Sequence, residues 1–392
     1  MRVKKFIPLI LLPLVFTGCW DKVEIDRKSF ISTIAIDVCE NIDKEDEMKK
    51  IKPDDEFQDK GIDKLSITFG FPDISELGIE KGSSAKEKFI TTKAYSIQDG
   101  IRDMASRTSR SIYTSHTKLL ILSKDILMYP ETVKEVMDYF DRNPRINKKM
   151  QVVVTNGKAE SYVSYEPLME KNIESYISGL SENSSRNSSI LPMTLNELLI
   201  LLHQNGNAII PSIDYNKKSD EIFLSGVTLI KDFKAIGSLD PIETSGLEIL
   251  RGKIKGGNRV VFMEGHPVDF QIDDIEREVK LIEINEDGLQ VKVNIKLEGQ
   301  VKNYQLDKSA FDKGCIKKIE ESFDKSIEKE CEKVARITQE KYSIDPIGIR
   351  EMVKKYHPKK WVNIEEKWDD VYKNSIIDVT VQTSVRRIGV TK

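Results

Sequence analysis

The chain has 392 residues and a formal net charge of −3, with 32% charged and 39% hydrophobic residues. That length points to two or three domains, and the apolar fraction supplies real cores, so a wholly disordered chain is excluded. The near balance of charge excludes a protein that grips nucleic acid through a large basic excess.

At the N-terminus, Arg2, Lys4 and Lys5 precede an uncharged segment from Phe6 to Phe16, and Thr17-Gly18-Cys19 closes it. A basic head, a short apolar middle and small residues at the cut are the parts of an export signal. The run is shorter than the roughly 20 apolar residues of a spanning helix. Pro8 and Pro13 also interrupt it, and a helix interior tolerates proline poorly. A buried N-terminal strand is disfavoured because charge begins directly after Trp20. An ordinary signal cut would leave Cys19 as an incidental thiol. The cysteine directly after Thr17-Gly18 instead resembles the lipobox of bacterial lipoproteins. Residues 1–18 then read as a lipoprotein signal peptide, and Cys19 as the lipidation site carrying fatty-acyl chains such as palmitate. Two or more chains anchor stably where one does not. No later stretch approaches spanning length, so a soluble body on a tether is expected.

From Phe30 to Val38, Ile34, Ile36 and Val38 alternate with smaller or polar residues, which reads as a strand. Asn41 to Lys60 is a charged, solvated loop without the oxygen spacing of a calcium site. Lys64 to Phe71 alternates again, so the two strands suggest a hairpin with an inserted excursion. Gly78 to Lys88 reads as a second polar loop, and Lys93 to Arg107 as a helix. Lys118–Ser123 is an apolar strand, Glu131–Arg142 a helix, and Gln151–Thr155 a strand ended by Asn156-Gly157. The Ser/Asn-rich run Ser181–Ser189 is the best linker or exposed-loop candidate. Thr194-Leu195-Asn196-Glu197 is a capping box that opens a leucine-rich helix closed by Asn205-Gly206.

A second unit is expected from near Asp220. It opens with a strand from Glu221 to Ile230, then a turn or short helix from Asp240-Pro241 through Leu250, then a strand from Arg259 to Met263. Val279–Ile284 and Leu289–Leu297 alternate around Asn285-Glu286-Asp287-Gly288, a hairpin signal. Ser309–Tyr342 is a long helix with Ile316, Ile319, Phe323, Ile327, Val334 and Ile337 on one stripe. Ile349 to Tyr356 is a short helix, and Ile377 to Thr383 the last strand. The fold class is α+β, a mixed α/β body of several domains with mixed sheets each packed by helices. The division is 19–215 for an N-terminal α/β domain, with room for a small second domain around 181–215, and 216–392 for a C-terminal α+β domain.

No HExxH, GxSxG, Walker loop or GxGxxG is present. The four histidines, His116, His203, His266 and His357, fall in different elements. His116, at a strand entrance, reads as a hydrogen-bonded structural residue rather than a base. Trp361 and Trp368 read as packing residues. Beyond Cys19 there remain Cys39, Cys315 and Cys331. Sixteen residues of helix put Cys315 and Cys331 roughly 24 Å apart, beyond the reach of a disulfide. No spacing suggests a metal, and no catalytic or cofactor-binding residue is assigned.

Taken in order, these segments resemble the Ger(x)C family of spore germination lipoproteins, the C subunits of germinant receptors. The residues are Cys19-Trp20-Asp21-Lys22-Val23-Glu24-Ile25, Ala35-Ile36-Asp37, and Ser115-His116-Thr117-Lys118 before its apolar strand. Phe140-Asp141-Arg142-Asn143-Pro144, Asn156-Gly157-Lys158-Ala159 and Glu243-Thr244-Ser245-Gly246-Leu247 continue the match. Tyr356-His357-Pro358-Lys359-Lys360-Trp361, Trp368 and Gly389 end it. Ser115 stands where glycine is more frequent, and the Asn41–Lys60 loop is long. The resemblance implies a non-enzymatic subunit acting with A- and B-type polytopic membrane subunits in nutrient-triggered germination. It also implies anchoring on the extracytoplasmic face of the spore inner membrane, and three α/β-type domains where the residues alone suggest two. It supplies no ligand-binding residues beyond Cys19. Two other classes stay open on the residues: a solute-binding lipoprotein of a transporter and a tethered hydrolase.

Overall fold

The structure is a computed structural model and describes residues 27–48, 50–52, 54, 63–72, 87–186, 190–254, 256–285, 287–303 and 313–388. The first strands are β1 (Lys28–Phe30), β2 (Thr33–Val38), β3 (Leu65–Pro72) and β4 (Glu87–Ala94). The predicted hairpin is present: β2 and β3 pair antiparallel, with Ile36 opposite Ile67. The expected polar loop up to Lys88 ends earlier, because Glu87–Ala94 is a third strand paired with β3. Its inward face carries only Ile90, Thr92 and Ala94. That contrast is too weak to read as alternation.

Then come α1 (Ile97–Ser106), β5 (Ser111–Tyr113), β6 (Leu119–Ser123), α2 (Pro130–Arg142) and β7 (Gln151–Thr155). A short helix, α3 (Ala159–Val163), and a longer one, α4 (Ile173–Arg186), precede α5 (Leu195–Asn205). The linker expected at Ser181–Ser189 is helical as far as Arg186, and residues 187–189 lie outside the described residues. The reason is a stripe at helical spacing. Ile173 and Ile177 are fully buried, and Ser181, 2% exposed, continues their line one turn on. Helix α5 has the predicted capping box: Glu197 N–H donates to Thr194 Oγ1, and Thr194 N–H donates to Glu197 Oε2. Gly206, with φ of 74°, ends it.

Strands β8 (Ala208–Asn216), β9 (Glu221–Lys231) and β10 (Lys234–Leu239) follow. One eight-stranded sheet has the order β10-β9-β8-β7-β6-β2-β3-β4. Its centre, β8-β7-β6-β2, is parallel. Sheet pairing therefore runs through residue 216, and the strand expected to open a second unit is hydrogen-bonded to the first. Helices α1, α2 and α5 cover one face of this sheet through Met104, Phe140 and Leu198. Helices α3 and α4 cover the other through Val163 and Ile177. A separate parallel pair joins β1 to β5, three residues each.

The remaining elements are α6 (Pro241–Arg251), β11 (Gly257–Met263), β12 (His266–Ile284), β13 (Leu289–Asn303) and α7 (Lys313–Arg336). A π-helical turn, Ile337–Lys341, continues α7. Then come α8 (Ile349–Tyr356), α9 (Pro358–Ile364), α10 (Trp368–Lys373) and β14 (Ile376–Ile388). Helix α6 starts like α5, with Asp240 and Glu243 forming a capping box and Pro241 in its first turn. The sheet order is β11-β12-β13-β14. The predicted hairpin is there, with Ile284 opposite Leu289, but β12 begins thirteen residues before the expected start at Val279. Helix α7 lays Ile319, Phe323 and Ile327 on this sheet as its period predicts.

Strand β14 lies at a sheet edge, where unpaired N–H groups invite a foreign strand. Helix α7 answers with carboxylates. Glu328 Oε1 accepts from Val381 N–H at 2.9 Å, Asp324 Oδ1 from Thr383 N–H at 2.6 Å, and Glu320 Oε1 from Val385 N–H at 2.8 Å. Four helical residues advance about 6.0 Å and two strand residues about 6.6 Å, so the two repeats run nearly in step.

The two sheets meet through one apolar cluster that includes Val227, Leu229 and Leu239 of the first and Leu247, Phe270 and Trp361 of the second part. Polar contacts tie them as well. Lys231 Nζ lies 2.6 Å from Asp369 Oδ2 and donates to Ser343 O, and Tyr342 OH donates to Ser238 O. The α+β expectation describes the protein: mixed sheets, each packed by helices.

Candidate functional site

Cys19 lies outside the described residues; the chain enters them at Arg27, directly before β1. Backbone bonds bring several segments to the edge where β2, β6 and β7 begin. Lys118 N–H donates to Ser32 O, Gln151 N–H to Lys118 O, and Ile31 N–H to Tyr113 O. A cleft of about 140 Å³ opens there, lined among others by Phe30, Ser32, Glu87, His116, Lys118 and Glu174. Its carboxylates each have a partner. Lys118 Nζ sits 2.9 Å from Glu174 Oε1, and Ser32 Oγ donates to Glu87 Oε1 at 2.5 Å. Burial holds the Glu87 carboxyl above the ordinary carboxylate range, against the opposing bond from Ser32.

His116 is exposed, as a residue at a strand entrance can be. Its Nδ1 lies 3.2 Å from Ser115 Oγ, and its ring packs edge-on against Phe30 at 4.8 Å. Those contacts are a packing role. The other histidines are elsewhere; His203 Nε2 meets Asp141 Oδ2 at 3.1 Å. Among the described residues no group of three or more His, Cys, Asp or Glu could hold a metal ion. Cys315 and Cys331 stand on the same helix without a bridge, and Cys331 is fully buried. Burial pushes the Cys39 thiol up to about 11.

At the opposite end of the parallel strands a larger cleft holds about 520 Å³. Asn156, Lys158, Tyr162, Tyr165, Asp214 and Tyr215 are among its walls. Sequence reasoning missed this cluster; the signal that could have found it is the Tyr162–Tyr165 spacing after Asn156-Gly157. The Tyr165 ring lies 6.0 Å from that of Tyr176 and 6.2 Å from that of Tyr215, and Asn156 Nδ2 donates to Asp214 Oδ2. Asp37 underpins this end. Its two oxygens accept from the Ala159 and Glu160 N–H groups at 2.8 and 2.9 Å, fixing the start of α3. Burial raises the Asp37 carboxyl, and those two bonds partly offset it. The cleft offers aromatic faces, a carboxylate and amines, and the Tyr215 hydroxyl donates to Asp220 Oδ1 at its rim.

Trp361 and Trp368 pack at 5.4 Å in the second core, as packing residues. Among the described residues no helix is long and apolar enough to cross a membrane.

Comparison with known proteins gives a consistent result. Residues 21–215 match the family described as spore germination protein N-terminal domain, and residues 225–389 match spore germination B3/GerAC like, C-terminal. The chain is 25% identical to spore germination protein YndF of Bacillus subtilis, across 100% of this chain and 99% of that protein. It is 21% identical to spore germination protein B3 of the same organism, over 98% of each. The crystal structure of the GerBC protein aligns with a TM-score of 0.57 at 17% identity, covering 81% of this chain and 93% of that one. At that identity the likeness speaks for the fold. The paired family matches in chain order speak for descent, and the chain belongs to the GerAC-like family of spore germination proteins.

Proposed function

We propose that this chain is the lipid-anchored C subunit of a germinant receptor. Cys19 carries the lipid, and the body stands on the extracytoplasmic face of the spore inner membrane beside A- and B-type polytopic subunits. The observation that carries the reading is the span of the family match, which starts at Asp21, two residues after Cys19, and runs to residue 389. Related proteins named for spore germination cover the whole chain. The subunit acts by contact rather than by catalysis, holding its partners in two dimensions.

Two experiments test this. Cys19→Ala moves the protein from the detergent phase to the aqueous phase on phase separation; retention in detergent refutes the anchor. Deletion of the chain abolishes the response of spores to particular nutrients while vegetative growth is unchanged. A normal response refutes the receptor role, and pull-down from solubilised spore membranes recovers the polytopic partners.

One observation favours a second reading, a solute-binding lipoprotein: the tyrosine-lined cleft of about 520 Å³ is large enough for a small solute. The two sheets differ in strand number and connection, unlike the paired lobes of that class. Calorimetry against amino acids and sugars separates the readings, with tight direct binding favouring the second.

A further inference from the structure

Large apolar side chains at full exposure call for a cover. Leu168 is 95% exposed and Met169 89% exposed, side by side in the loop between α3 and α4. The fold holds them there. Pro167 before them is buried, and Ile173 after them is fully buried. The loop leaves α3 by way of Tyr165, a wall of the tyrosine-lined cleft, and returns through Asn172 to the edge where the chain enters the structure. A Cβ on Gly70 would stand 3.2 Å from Val163 Cγ1, and Gly70 pairs with Thr33 at the start of β2. Asn172 lines the same cleft as Phe30 and His116.

Cys19 and Arg27 are eight residues apart, which limits the tether to about 29 Å even fully extended. A body on so short a leash must keep this edge near the anchor. The charges suit that position. Arg27 precedes β1 and Arg110 precedes β5, so the parallel register sets them beside each other, and Lys28 lies over the Tyr113 ring at 4.6 Å. Lys171 follows the loop; Glu166 and Glu170 flank the apolar pair.

We propose that the Leu168–Met169 loop is a membrane-seating wedge: the two side chains enter the outermost acyl layer of the bilayer, while Arg27, Lys28 and Arg110 face anionic headgroups. This rests on the lipid anchor at Cys19 and goes beyond it, because it fixes which edge of the body lies on the membrane. Moving one such side chain from water into hydrocarbon shifts the partition about tenfold or more, and basic residues near an anionic surface add to it.

The test uses the lipid-anchored protein in vesicles of phosphatidylcholine and phosphatidylglycerol. An environment-sensitive fluorophore is placed on Met169→Cys in a chain carrying Cys315→Ser, and a control on Lys217→Cys at the far cleft. Spin-labelled lipids quench the probe at 169 several-fold more than the probe at 217. Leu168→Glu and the pair Arg27→Glu/Lys28→Glu each weaken that quenching; Leu168→Phe keeps it. If the protein floats with the vesicles but the probe at 169 stays in water, the wedge is refuted while the anchor stands, and a partner protein is left to cover the loop. If the protein does not float, both fall.

Discussion

Replacing Asp324 by alanine removes the middle carboxylate that caps the edge of the second sheet. Its bond to the Thr383 N–H is 2.6 Å long and partly buried. A hydrogen bond to a charged group contributes about 1.5–3 kcal/mol. Part of that is offset, since burial holds the Asp324 carboxyl above its ordinary range, with the Thr383 bonds opposing it. The expected loss for Asp324→Ala is therefore about 1–2 kcal/mol. For a unit of this size that is a fall in Tm of roughly 2–8 °C. Asp324→Asn keeps an acceptor oxygen and should lose about half as much. Urea titration gives the free energy, and hydrogen exchange at the Thr383 amide gives the local effect. Removing Glu320, Asp324 and Glu328 together frees the N–H groups of Val385, Thr383 and Val381, and concentration-dependent association through the bared edge is expected. A loss below about 0.5 kcal/mol for Asp324→Ala, with unchanged exchange at Thr383, would show that the carboxylate comb is incidental to the fold.

Gly226 has φ of 120°, and a Cβ there would stand 2.0 Å from Leu239 O, so Gly226→Ala should prevent β10 from packing beside β9 and yield little folded protein; a normal melting curve would contradict this. Asp345 is half-buried and accepts the N–H groups of Ile347, Gly348 and Arg350; burial raises its carboxyl despite those bonds and nearby Arg277. The folded state then keeps a proton that the unfolded state has lost, so its contribution falls as pH rises from about 4 through the raised folded value. Asp345→Asn should flatten that slope in urea titrations across pH, and an unchanged slope would refute it. Burial pushes the fully buried Cys331 thiol up strongly, so iodoacetamide should modify it only after unfolding; labelling in the native protein would place it nearer solvent.

How much of this was readable in advance follows from particular residues. Helix α7 was legible because Ile319, Phe323 and Ile327 repeat at four residues, and α5 because Thr194 and Glu197 form its cap. The β2–β3 hairpin was legible because Ile34, Ile36, Leu65 and Ile67 alternate strongly. Strand β4 was not, since threonine and alanine mark its buried side. Strand β8 was hidden by Pro211, a residue that argues against a central strand. The linker reading of the Ser/Asn run missed the helix through Arg186 because its buried position there is a serine, Ser181, which carries no apolar signal.

The sequence by itself determined the family, since the paired family matches rest on the order of residues along the chain. Only the tertiary structure decided that β9 joins the first sheet, that Asp37 reaches across 122 residues to start α3, and that Leu168 and Met169 stand exposed. Local periodicity records which face of an element is apolar. It carries no information about which distant backbone will take its hydrogen bonds, and that choice is made when the sheets assemble.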